Sequence, residues 1–80
     1  MKAEMIPVVS SNIEAVGYNN LTETLYVRFK GGKVYSYERV PEYTFTELVE
    51  ADSVGKYFNQ FIKNQYLTRV ETLWMMSWII

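Results

Sequence analysis

The sequence predicts an α+β fold, a three-stranded antiparallel sheet (four-stranded if residues 5–9 join it) followed by two helices. Leu25, Val27 and Phe29 alternate with Tyr26, Arg28 and Lys30, the pattern of a half-buried strand. Gly31-Gly32 follows at once and supplies the positive φ that a hairpin needs. Further on, Val54, Tyr57, Phe58, Phe61 and Ile62 repeat at helical spacing, with Lys56, Asn59, Gln60, Lys63 and Asn64 on the opposite face. All strand signals precede all helix signals, which is the order of an α+β domain.

Residues 1–10 read as an arm ending in Val8-Val9-Ser10. A first strand runs from Asn12 to Tyr18 and carries Ile13, Val16 and Tyr18. Asn19-Asn20 is a turn signal, and the second strand is Thr24 to Phe29. The third strand, Lys33 to Arg39, has Tyr35 and Tyr37 on one face and Val34, Ser36 and Glu38 on the other. Two hairpin registers are open to it. A two-residue loop sets Tyr35 opposite Arg28, away from the core; a three-residue loop with a bulge sets Tyr35 opposite Val27 and Tyr37 opposite Leu25, in the core. A slip of one residue exchanges the faces.

Pro41 suits the first turn of a helix, and Glu42 and Glu47 lie toward its positive end. Phe45, Leu48 and Val49 form its apolar stripe. Ser53 is a good N-cap for the second helix. No Gly or Pro follows Gly55, so this helix is expected to continue past Tyr66. From Leu73 nearly every residue is apolar. The segment 68–80 therefore reads as an extension of a single domain 1–80, forming either an oligomer helix or a strand added to a sheet edge. Val70, Leu73, Trp74, Met75, Trp78 and Ile79 are its expected interface, in a homo-oligomer or against a host or phage protein.

The chain has 80 residues, no cysteine and no histidine. Neither a Ser-His-Asp nor a Cys-His triad can be built, so an enzyme is not expected. No disulfide, cysteine–zinc site or calcium-loop spacing is present, and no cofactor or metal is expected. The carboxylates of Glu47 and Glu50 sit one turn apart on one helix, without the facing geometry of a glycosidase pair. A net charge of −1 argues against a long polyanion as partner. The longest apolar run, Leu73–Ile80, is too short to span a bilayer, and no membrane partner is expected. Without a secretory leader or cysteines, a cytoplasmic location is expected.

Charge is unevenly placed along the chain. Glu42, Glu47, Glu50 and Asp52 fall in a stretch with no base, whereas Lys56, Lys63 and Arg69 fall between Ser53 and Val70 with no acid. Ser10-Ser11-Asn12-Ile13, Val16-Gly17-Tyr18, Leu25–Phe29, Gly32–Tyr37, Val40-Pro41 and Ala51–Asn59, with Ile62-Lys63 and Tyr66 following, form a combination that resembles the KTSC family over residues 8–67. The family takes its name from the C-terminal region of some lysyl-tRNA synthetases and also occurs as small separate proteins of bacteria and phages. Its Tyr-x-Tyr falls on Tyr35 and Tyr37, and its Ser-x-Gly-x-Tyr-Phe-Asn on Ser53, Gly55, Tyr57, Phe58 and Asn59. The resemblance implies RNA binding.

Together these observations suggest a non-catalytic module for a short RNA or a small nucleotide. Tyr35 and Tyr37 would stack on bases, and Arg28, Lys33, Arg39, Lys56 and Lys63 would meet phosphate, with Asn59 alongside. The plainer reading makes the tyrosines core residues and the lysines a solvated helix face. The alternative function is a protein-interaction module or adaptor acting through the apolar tail.

Overall fold

A computed structural model describes residues 4–71. Five strands form one antiparallel sheet in sequential order: β1 (Ile6–Pro7), β2 (Ile13–Asn19), β3 (Thr24–Phe29), β4 (Val34–Tyr37) and β5 (Thr68–Val70). Helices α1 (Glu42–Glu50) and α2 (Val54–Phe61) lie between β4 and β5 in the chain. The α+β class holds, but the expected three or four strands become five. The addition is β5, which pairs Tyr35 with Val70, Ser36 with Arg69 and Tyr37 with Thr68. This places the first residues of the expected C-terminal extension inside the sheet.

The β2 strand shows why Ile13 and Val16 share a face despite an odd spacing. The register shifts between Ile13, opposite Phe29, and Ala15, opposite Arg28. The bulge inserts one extra residue, and both Ile13 and Val16 end fully buried. They join Leu25, Val27, Tyr37, Val40, Leu48, Val54, Phe58 and Ile62 in one core between the sheet and the helices. Tyr18 fixes α1 to this core. Its ring stacks on Phe45 at 5.1 Å, and its hydroxyl donates to the Val40 carbonyl at 2.6 Å. On the opposite face, Tyr26 lies between Gly17 and Ser36 in register, and Arg28 between Ala15 and Val34. Each long side chain thus has small neighbours to cover, and Ala15, Val34 and Ser36 are buried there.

The β3–β4 hairpin adopts the three-residue loop. The Phe29 amide donates to the Lys33 carbonyl and the Gly32 amide to the Phe29 carbonyl, each at 2.9 Å. Gly31 and Gly32 have φ of 104° and 101°, a region that costs L-residues dearly and glycine little. Tyr35 therefore pairs with Val27 and Tyr37 with Leu25, and both tyrosines face the helices.

Helix α2 begins where Ser53 predicts, with its Oγ accepting from the Lys56 amide at 3.2 Å. It does not run past Tyr66. It stops at Phe61, Ile62 leaves helical geometry, and Asn64 takes φ of 65°. Asparagine is among the few residues that tolerate this left-handed state, so it turns the chain without glycine. The segment then returns to the sheet, where the Glu38 amide donates to the Leu67 carbonyl at 3.0 Å.

Candidate functional site

The helices leave part of the sheet's inner face open at one end. There the β3–β4 hairpin, the Ser10–Asn12 turn, the C-terminal half of α2 and the start of β5 enclose a cleft of about 620 Å3. Ser10 Oγ organises the turn by accepting from the Asn12 and Ile13 amides at 3.4 and 3.3 Å, and it lies close beside Asn12 Oδ1. The Asn12 carbonyl in turn accepts from the Lys30 amide at 2.9 Å, tying turn to hairpin. Helix α2 approaches the same turn closely. A Cβ on Gly55 would stand 3.2 Å from Ser10 Oγ and 3.4 Å from Asn12 Oδ1, which accounts for glycine there.

Four aromatic rings form the cleft's inner wall: Phe29, Tyr35, Tyr37 and Phe58. Phe29 meets Tyr35 edge to face at 5.5 Å and Phe58 at 5.6 Å, and Tyr37 meets Phe58 in the same way at 5.6 Å. Tyr37 is only 5% exposed, whereas Phe29 and Tyr35 are half-buried. Burial, with a smaller contribution from Tyr35, pushes the Tyr37 phenol up to about 12, so it stays a neutral hydrogen-bonding group. Lys30, Lys33 and Lys63 stand around the wall with Asn12, Asn59 and Asn64, and the lining contains no carboxylate. The lining combines a wall of partly or fully buried rings with exposed amide groups and three exposed lysines.

Of the residues singled out in the sequence, Lys33, Tyr35, Tyr37, Asn59 and Lys63 come together here. Arg28, Arg39 and Lys56 do not line this cleft. Arg28 lies on the other sheet face because strand alternation opposes it to Val27. Its Nε stands 3.7 Å from Glu14 Oε2 and has no hydrogen-bond acceptor. Arg39 takes φ of 60° after β4 and borders a smaller polar depression of about 320 Å3 that also contains Glu38, Arg69 and Glu71. There Arg69 Nε pairs with Glu38 Oε2 at 2.8 Å, and Ser36 Oγ donates to Glu71 Oε2 at 2.6 Å. Lys56 is exposed on α2. Sequence reasoning missed Asn12, Phe29, Lys30, Phe58 and Thr68. Phe29 carried only a core signal, and Phe58 a core signal together with its place in the family motif. Lys30 had one available signal, its place beside the glycines that turn the hairpin.

A second group of rings lies between the two helices. The Tyr57 hydroxyl donates to Glu47 Oε1 at 2.7 Å, and its ring lies 4.7 Å from that of Phe61. Burial, then the hydrogen bond and charge of Glu47, push the Tyr57 phenol up to about 12, with Tyr66 and Tyr43 adding to the effect. Val70 is exposed on β5; Leu73, Trp74, Met75, Trp78 and Ile79 lie outside the described residues. No helix among the described residues is long and apolar enough to cross a membrane, and no cluster of three His, Cys, Asp or Glu suited to a metal occurs among them.

Comparison with known proteins gives a consistent family. A protein of Tsukamurella paurometabola is 42% identical over 62 residues, covering 78% of this chain and 92% of that one. A lysine–tRNA ligase of Nostoc sp. is 43% identical over 56 residues, covering 70% of this chain but only 10% of the ligase. Among solved structures, a KTSC domain protein of Yersinia pestis superposes with a TM-score of 0.81 at 33% identity, covering 86% of this chain and 97% of that one. The KTSC domain model itself matches residues 9–66, from the arm before β2 to the segment before β5. The chain belongs to the KTSC domain family.

Proposed function

We propose that this domain is a non-catalytic binding module for a short single-stranded RNA or a small nucleotide-type ligand, held in the aromatic cleft. The observation that carries the reading is the pairing of a ring-lined wall with three lysines and no carboxylate in the lining. An aromatic face accepts a base of any identity, and exposed lysines meet phosphate. Tyr35 and Phe29 are the half-buried rings and provide the stacking surface. Tyr37, held against Phe58, contributes its hydroxyl rather than a free face. Asn12, Asn59 and Asn64 each carry both donors and acceptors suited to a base edge or ribose. The size of the cleft lies within the usual range of small-ligand sites and limits the ligand to a short segment. The match to a segment of lysine–tRNA ligases supports an RNA-related role.

The test is an NMR titration of the isotope-labelled protein with adenosine monophosphate and with uridine tetranucleotide at low salt. The expected result is shifts confined to the hairpin, Tyr35, Asn59 and Lys63. Absence of shifts with both probes, or shifts located elsewhere, contradicts the reading.

A further inference from the structure

The face formed by α1 and α2 carries chemistry opposite to that of the cleft. Tyr43 is 68% exposed on α1 and Phe61 50% exposed on α2, with Tyr57 and Tyr66 half-buried beside them. Tyr57 and Phe61 are in ring contact at 4.7 Å, and Tyr57 fixes the Glu47 carboxylate through Oε1 at 2.7 Å. Oε2 of Glu47 has no partner among the described residues. Glu42, Glu50 and Asp52 are also exposed, and no base occurs from Glu42 to Asp52, so four carboxylates stand against one exposed base on the two helices, Lys56 of α2. Isolated exposed rings are ordinary on protein surfaces, whereas contiguous apolar patches rimmed by polar residues mark interaction sites.

We infer that this face binds a basic segment of a partner protein, with an arginine or lysine side chain over the Tyr57 and Phe61 rings and its charge toward Glu47. Charge complementarity selects this occupant. A cation gains from both the ring faces and the carboxylate, whereas the phosphates of RNA or of an anionic membrane are repelled. The lysine-rimmed cleft is a separate surface, so a basic segment and an anionic ligand can be held at once.

The test is a titration with acetylated hexa-arginine amide, followed by NMR on the full chain. Aromatic resonances of Tyr43, Tyr57 and Phe61 are expected to shift. Phe61→Ala and Tyr43→Ala leave every charge in place and are expected to weaken binding about fivefold each. Glu47→Gln, which retains the side-chain shape, is expected to weaken it comparably. Tyr35→Ala in the cleft is expected to leave peptide binding unchanged, which separates this inference from the cleft reading. Equal affinity of wild type and Phe61→Ala, with the folded spectrum retained, reduces the effect to general charge attraction and overturns the inference. So do shifts of the same rings that follow protein concentration without peptide, since they assign the face to a second copy of this chain.

Discussion

Tyr37 and Tyr57 hold their phenolic protons to about pH 12 in the folded chain, against about 10 for an exposed tyrosine. The folded state therefore binds these protons more tightly than the unfolded state. Their contribution to stability is complete below pH 10 and is lost as pH rises through 12. An ultraviolet phenolate titration with parallel denaturant melts is expected to show late ionisation of both groups and stability falling across that window. Replacing Tyr57 with Phe removes the bond to Glu47 and is expected to eliminate one late-ionising phenol. At the hairpin, nothing approaches a Cβ on Gly31, so Gly31→Ala isolates the backbone cost of its φ of 104°. That cost is at least about 1 kcal/mol, and each 1 kcal/mol lowers Tm by about 4–8 °C in a domain of this size. Ser53 was legible as a cap because its chemistry is local. The face of Tyr35 was not legible, because alternation alone is compatible with both registers and the loop geometry decides between them.

Among the elements, α2 was readable from its first turn to its apolar stripe, but its end was not. Asn64 closes it in a left-handed conformation, and the polar residues Lys63, Asn64 and Gln65 after Ile62 carry no periodic warning of a stop. β5 was hidden for a related reason. Three exposed residues, Thr68, Arg69 and Val70, show no burial pattern, and their strand state comes from pairing with β4, more than thirty positions back in sequence. Local signals can be tested locally. Ser53→Ala is expected to cost about 1 kcal/mol through the lost cap, measured by urea unfolding. Leu48 on α1 is fully buried, and Leu48→Ala is expected to cost about 2–5 kcal/mol. Stabilities of natural domains run to about 0.05–0.15 kcal/mol per residue, so that single change removes a large share of the total. Calorimetry should then show a much lower transition, whereas an unchanged Tm would mean that α1 packs less closely than described.

At the scale of the whole molecule, a net charge of −1 conceals a dipolar arrangement. Lysines gather around the cleft, and exposed carboxylates gather on α1. Composition reports only the sum, and the run of acids followed by bases along the chain gave a partial view. The fold completes it by bringing Lys30 and Lys33 from the hairpin to Lys63 beyond α2. For a single-stranded ligand, each phosphate neutralised is expected to add about 0.7 to the fall of log K with log salt. The proposed cleft is tested most directly by fluorescence anisotropy of labelled uridine tetranucleotide against wild type, Lys33→Glu and Tyr35→Ala across a salt series. Salt-sensitive binding by wild type is predicted, weakened and flattened in slope by Lys33→Glu, and weakened with its slope retained by Tyr35→Ala. Equal binding by all three proteins, or no binding by wild type at low salt, would contradict the cleft as a nucleotide site.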